Sequence, residues 1–354
     1  MAKKKVLIID DSALVRKSLS GLIQSIPDFE IMATAADPYF AAKILKKQIP
    51  DVITLDVEMP RMDGITFLRT LMSQYPIPVV IISSLTKKGS ETAIQALKFG
   101  AVEVISKPNI HGVGLEIEEN RIRIMEAIKA ASMASAKRRS AFQKVPSNVS
   151  SFKPLKSPDK GREGTSLLRT TEKIVVVGAS TGGTEALRTI LSKLPMDSPA
   201  TAVVQHMPEK FTHYFASSLN EHCLVNVKEA VDGDSLITGT VLIAPGNKHM
   251  CVRRSGARYY VSLIEGPFVN RHRPSVDVLF HSVANYAGNN STGILLTGMG
   301  SDGAKGLLEM KKAGATTVAQ DEESSVVFGM PKEAIGLGAV DKVVGLEDIH
   351  KHIC

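Results

Sequence analysis

Short β-branched and apolar runs alternate with longer mixed segments along the first 130 positions. The runs recur at 6–9, 30–34, 52–55, 79–82 and 102–105, each the length of a buried strand. After the first, Leu14, Val15, Leu19, Leu22, Ile23 and Ile26 recur at helical spacing behind a candidate cap at Asp11 or Ser12. Such alternation predicts a parallel sheet covered by helices on both faces. Strand-like runs return at 174–177, 201–205 and 293–297. The first of these passes through Gly178-Ala179-Ser180-Thr181-Gly182-Gly183 into a helical pattern beginning at Thr184. The chain therefore reads as two α/β domains, residues 1–128 and 173–354, joined by a segment at 129–172.

That joining segment changes how the charge is understood. The 354 residues carry a formal net charge of +7, which by itself suggests nucleic acid or an anionic surface. Positions 131–170 hold nine bases against two acids (Asp159 and Glu163) and are rich in Ser, Pro and Ala. They read as a basic flexible linker. Bases and acids balance in the rest of the chain, so both domains are near neutral and no nucleic-acid partner is predicted. Cys223, Cys251 and Cys354 are too few and too scattered for a disulfide framework. The chain starts without the long apolar core of a signal peptide. No apolar run approaches the ~18 residues of a membrane helix, so no transmembrane segment and a cytoplasmic location are expected.

In a parallel α/β sheet the ligand crevice lies at the carboxyl ends of the strands. Asp10 and Asp11 end the first predicted strand, Asp56 the third and Ser83 the fourth, and Lys107 follows the fifth. Three carboxylates in one crevice repel unless a cation sits among them, and an all-oxygen set suits Mg²⁺. Asp56 is then placed to accept a phosphoryl group, with Ser83 and Lys107 bonding its oxygens.

In the second domain, Gly178-x-Ser180-x-Gly182 fits a nucleophile on a tight strand-to-helix turn. A glycine-rich turn at this point also fits a phosphate cradle, although neither the P-loop Lys-Ser/Thr nor a G-x-G-x-x-G is present. A serine nucleophile needs a base, and the base an orienting acid. His206 and Asp302 each fall just past the end of another predicted strand, where one crevice gathers them with Ser180. Asp277 and Asp321 compete for the acid role, and pairing with Arg273 is the simpler reading of Asp277. His213, His222 and His249 follow no such strand directly and read as packed or solvated residues.

The motifs VLIIDDS, LDVEMPRMDG, VVIISS and SKP resemble the receiver domain of two-component response regulators. GASTGGTEAL, VVQHMP, RHRPSVDVLF, LLTGMGSDGA and QDEESSVVFGMP closely resemble the CheB family of chemotaxis methylesterases. The resemblance implies a flavodoxin-like receiver with a five-stranded parallel sheet, and a doubly wound α/β methylesterase domain with a mostly parallel sheet. It implies Asp56 as phospho-acceptor, Asp10, Asp11 and Asp56 as Mg²⁺ ligands, and Ser83 with Lys107 as the phosphate-sensing pair. Receivers commonly carry an aromatic three residues before that Lys, where this chain has Val104. For the second domain it implies Ser180 as nucleophile, His206 as base, Asp302 as orienter, the Met299 amide as oxyanion donor, and Thr181 as a residue tuning the same turn. The esterase chemistry needs no cofactor. Implied partners are methyl-accepting chemotaxis receptors as substrate, demethylated at glutamate and deamidated at glutamine, and a CheA-type histidine kinase as phosphodonor. The unphosphorylated receiver is expected to pack over the esterase crevice until phosphorylation loosens it. The competing class is a response regulator with a non-enzymatic, DNA- or protein-binding output. Against it stand an output region that is strand-rich and near neutral and shows no helix-turn-helix pattern.

Overall fold

The computed structural model describes residues 3–59, 63–84, 86–107, 115–142 and 173–354, apart from the side chains of 87, 115–119 and 135–142. The N-terminal domain is a five-stranded parallel sheet in the order β2-β1-β3-β4-β5. Its strands are β1 (Lys4–Ile9), β2 (Phe29–Ala35), β3 (Val52–Leu55), β4 (Val79–Ser83) and β5 (Glu103–Ser106). Leu7, Ile53, Val79 and Ile81 are fully buried, as expected where helices cover both faces of a parallel sheet. The helices begin where short polar side chains accept an otherwise unpaired backbone N–H. Ser12, rather than Asp11, accepts from Val15 N–H ahead of α1 (Ala13–Gln24), and Asp37 from Phe40 N–H ahead of α2 (Pro38–Leu45). Asp63 caps α3 (Gly64–Gln74) and Thr86 caps α4 (Lys87–Lys98) in the same way.

The last receiver helix, α5 (Leu115–Phe142), corrects one expectation. The domain boundary placed between residues 128 and 129 falls inside it, and Ala130, Ala131 and Ala134 are buried. Alanine and serine look like linker composition, but alanine is also the strongest helix former. The small residues here continue the apolar face set by Ile124, Ala127 and Ile128. The rest of the expected linker, 143–172, lies outside the described residues.

The C-terminal domain is built on a seven-stranded sheet in the order β14-β13-β12-β6-β7-β9-β8, with every pairing parallel. Its strands are β6 (Ile174–Ala179), β7 (Ala200–Gln205), β8 (Asn226–Glu229), β9 (Thr240–Ile243), β12 (Ser291–Leu295), β13 (Thr316–Gln320) and β14 (Lys342–Val344). A separate antiparallel hairpin, β10 (His249–Ser255) with β11 (Arg258–Ile264), packs on α8 (Val276–Tyr286). The other helices are α6 (Gly183–Leu191), α7 (Phe211–Asn220), α9 (Ala304–Lys312) and α10 (Met330–Gly336). One hydrophobic cluster runs from Ile81 and Ile94 in the receiver to Leu187 and Leu219 in the second domain, and α4 packs on α7. No helix among the described residues is long and apolar enough to cross a membrane.

Candidate active site

The large sheet winds outward from β6 in both directions, through β7 on one side and β12 on the other. A parallel sheet with such a switch point opens a crevice there, at the carboxyl ends of the strands. Ser180 follows β6 and its N–H donates to the Thr297 carbonyl at 3.0 Å. Gly182 closes the turn at φ +79, a region glycine enters without strain. A Cβ on Gly183 would lie 2.2 Å from Gln205 Oε1, which explains the glycine pair. His206 follows β7, its N–H bonded to the Ala179 carbonyl at 3.0 Å. Asp302 stands between β12 and α9, before Gly303 at φ +91.

His206 and Asp302 are directly joined, Nε2 to Oδ2, at 2.8 Å. Asp302 also accepts from Asn270 Nδ2 at 2.7 Å, Ser275 Oγ at 2.8 Å, Val276 N–H at 2.7 Å and Asp277 N–H at 3.2 Å. Burial works against its charge, but the hydrogen bond and charge of His206, with Asn270, prevail and hold the carboxyl well below the usual range. Asp302 is therefore a fixed anion. With Nε2 engaged, Nδ1 is the free ring nitrogen, and it is buried without a hydrogen-bond partner among the described residues. The His272 ring stacks on His206 at 3.7 Å and 11° between planes. Burial, reinforced by the neighbouring His206, pushes the His272 pKa well below its ordinary value. His272 thus braces the His206 ring while its own neutral form is favoured.

Met299 shares one cavity with Ser180, Thr181 and His206, and its amide donates to no acceptor among the described residues. A Cβ on Gly298 would fall 2.7 Å from the Ser180 Cβ and 2.3 Å from Met330 Sδ, so only glycine lets this turn approach Ser180. The rival acids are otherwise occupied. Asp321 accepts from Ser324 N–H and Oγ. Asp277 accepts from Asn270 Nδ2 and Gly306 N–H. Its expected pairing with Arg273 is not found: Arg273 bonds Asn247 and the Gly266 carbonyl and lies over the Phe268 ring. His213 lies near Glu229, and His222 bonds the Ser218 carbonyl. His249 is buried, bonded to the Pro267 carbonyl and to Ser275 N–H.

Several contributors were not anticipated. Gln205 Nε2 donates to the carbonyls of Ser180 and His206, tying the two turns together. Thr297 Oγ1 donates to the Thr181 carbonyl, while Gln320 Oε1 accepts from Thr297 N–H. These polar residues lie at or just past the ends of strands β7, β12 and β13, and that placement is the available sequence signal. Asn270, His272 and Ser275 all come from the stretch beginning NRHRPS.

In the receiver, Asp10, Asp11 and Asp56 each offer a carboxylate oxygen, and these atoms lie within 4.8 Å of one another. Lys107 Nζ is 2.7 Å from Asp56 Oδ2 and 3.1 Å from Asp10 Oδ2. Asp10 Oδ2 is buried, and the Lys107 ammonium is the partner it has among the described residues. Burial raises the pKa of Asp10, and that of Asp56 to about 6, against the lowering effect of Lys107. An all-oxygen cluster of three carboxylates, two of them buried and sharing one lysine, fits a hard divalent cation. Ser83 is buried at the same end of the sheet, but its hydroxyl donates to the Gly89 carbonyl at 3.3 Å, toward α4. Val104 is buried in the apolar cluster shared by both domains.

The receiver also covers the esterase crevice. Glu103, Val104, Arg123 and Glu126 line the same small cavity as Ser180 and His206. Thr181 Oγ1 donates to Glu103 Oε2 at 2.5 Å. Lys98 faces Glu221 at 3.8 Å and Arg271 faces Glu126 at 3.9 Å. The cavity retains about 20 Å³, space on the order of a single water. In this arrangement Ser180 and His206 are only 6% and 9% exposed.

Known proteins agree with this layout. The CheB methylesterase family matches residues 175–353, and the response regulator receiver domain matches residues 6–113. The protein-glutamate methylesterase/protein-glutamine glutaminase 2 of Rhizobium johnstonii is 57% identical over 362 residues, spanning 100% of this chain and 98% of that protein. The corresponding protein 3 of Geobacter metallireducens is 54% identical over 355 residues, spanning 100% and 99%. Among solved structures, the CheB methylesterase catalytic domain of Thermotoga maritima aligns with a TM-score of 0.51 and 38% identity. That alignment covers 52% of this chain and 97% of the domain.

Proposed function

The chain belongs to the CheB methylesterase family, with a response regulator receiver at its N-terminal end, and on that premise we propose that it is a phosphorylation-controlled serine hydrolase of chemotaxis receptors. It cleaves glutamate γ-methyl esters and, by the same route, glutamine γ-amides. The observation that supports this best is the convergence of Ser180, His206 and Asp302 from the ends of β6, β7 and β12, with base and acid 2.8 Å apart. The competing non-enzymatic output finds no support in the relatives, which carry methylesterase names over their full length.

His206 Nδ1 takes the Ser180 proton as Oγ bonds the γ-carbonyl carbon of a methylated glutamate. The oxyanion is met by the Met299 amide. The imidazolium is stabilised by Asp302 on Nε2 and by the neutral His272 face. When the C–O bond breaks, His206 passes the proton to the departing methoxide, which leaves as methanol. Water then gives a proton to His206 and attacks the acyl-serine, freeing the glutamate and restoring Ser180. With an amide substrate the leaving group is ammonia.

Asp56 is the phospho-acceptor in this reading, and a CheA-type histidine kinase in the cytoplasm is the donor. Asp10, Asp11 and Asp56 would hold Mg²⁺, which neutralises charge on the incoming phosphoryl group. Lys107 bonds the Asp56 carboxylate, and Ser83 must leave the Gly89 carbonyl to reach a phosphoryl oxygen. That movement acts on the start of α4, whose body packs on α7. Methanol release from methylated receptor membranes tests the reading. Acetyl phosphate with Mg²⁺ should raise the rate by about tenfold or more, within the usual range of coupling between sites. Asp56→Asn should remove the stimulation. A wild-type chain that releases no methanol under phosphodonor overturns the proposal.

A further inference from the structure

The receiver does more than cover the crevice, because it places a glutamate inside it. Glu103 begins β5, and its side chain crosses the domain boundary to accept the Thr181 hydroxyl proton at 2.5 Å. Thr181 directly follows the nucleophile, and Glu103, Thr181, Ser180, His206 and Met299 line one cavity. A carboxylate that serves only as an interdomain anchor is expected to meet a cation of the opposite domain, as Glu126 meets Arg271 and Lys98 meets Glu221. Glu103 instead meets a neutral hydroxyl at the catalytic turn. The cation whose charge acts on it, Arg123, belongs to its own domain. Desolvation there pushes the Glu103 carboxyl up to about 7.

We propose that Glu103 is an internal product mimic: in the closed chain its carboxyl occupies the subsite that receives the γ-carboxyl group of the substrate glutamate, and Thr181 recognises that group in both cases. This rests on the esterase reading of Ser180. A receptor glutamate and Glu103 then compete for one hydroxyl. Closure inhibits by raising the apparent KM for receptor, and phosphorylation relieves it by withdrawing Glu103. Thr181 becomes a specificity-determining residue of the open enzyme.

The test is methanol release by the full chain against receptor concentration, with and without acetyl phosphate. Without phosphodonor, Glu103→Ala should raise kcat/KM by about tenfold, the scale of one lost hydrogen bond to a charged group. Its phosphodonor-stimulated kcat should match wild type. Glu103→Gln keeps a carbonyl oxygen for Thr181 and should stay within about threefold of wild type, well inside that loss. Thr181→Val should relieve the block and also raise the stimulated KM, and both effects should be smaller in Thr181→Ser, which keeps the hydroxyl.

Equal basal rates for Glu103→Ala and wild type would overturn the proposal. So would an equal rise in Glu103→Ala and Glu103→Gln, which would indicate only a charge at the boundary. Loss of the stimulated rate in Glu103→Ala would contradict it too, since Glu103 is absent from the open site. An unchanged stimulated KM in Thr181→Val would remove the shared subsite. Failure of the esterase reading itself appears separately, as no methanol from stimulated wild type.

Discussion

Ser180→Ala should lower methanol release from methylated receptors by about 10⁶, the scale of losing a serine nucleophile, while acetyl phosphate still phosphorylates Asp56. The two readouts separate because the residues belong to different sheets and share no hydrogen bond. Folding should be nearly unaffected. The Ser180 hydroxyl makes no hydrogen bond among the described residues, whereas its backbone N–H holds the turn to Thr297 and survives the substitution. An unfolding free energy within about 0.5 kcal/mol of wild type is therefore expected, measured by denaturant unfolding. Retained esterase activity in this variant would end the nucleophile assignment.

Asp302→Asn should cost about 10⁴ in kcat with the covalent route still open, as in serine triads generally. The geometry gives the reason. Both Asp302 oxygens act only as acceptors, for His206, Asn270, Ser275, Val276 and Asp277. An asparagine must turn its NH₂ toward some of these donors. Facing Nε2, it forces the imidazole proton onto Nδ1, the atom that has to accept the serine proton. Facing the other side, it opposes Asn270, Ser275 and the Asp277 amide. Kinetics in the phosphodonor-stimulated state, with a burst assay for the acyl-enzyme, would show slow acylation at unchanged receptor KM. A kcat within tenfold of wild type would move the acid role to another residue.

Much of this was readable because strand ends concentrate chemistry. Each of Asp10, Asp56, Ser83, Ser180 and His206 ends or directly follows an apolar run whose length and β-branched content mark a buried strand. What stayed hidden was contributed sideways. Gln205 and Gln320 look like ordinary strand-end polar residues until the parallel register brings them beside Ser180 and Thr297. His272 stacks on His206 across 66 positions of sequence, a contact no periodicity predicts. Arg273 and Asp277 are close in sequence and opposite in charge, yet the turn before α8 sends Arg273 to Asn247 and keeps Asp277 beside Asn270 and Gly306. The α5 boundary was misplaced because alanine-rich sequence serves linkers and buried helix faces equally well. The hairpin β10–β11 also went unread: it lies outside the main sheet, and its alternation is interrupted by charged residues.

The 20 Å³ left between receiver and esterase has a thermodynamic meaning. If an occupied crevice and a closed receiver exclude each other, receptor binding and receiver activation are linked equilibria, and linkage runs both ways with equal strength. Whatever factor an acyl-phosphate mimic such as beryllofluoride adds to receptor affinity, saturating methylated receptor must add to beryllofluoride affinity. Titrations in the two orders should return one coupling constant. Crowded, highly methylated receptors then act as an effector of the receiver as well as a substrate, holding the chain open after it has been switched on.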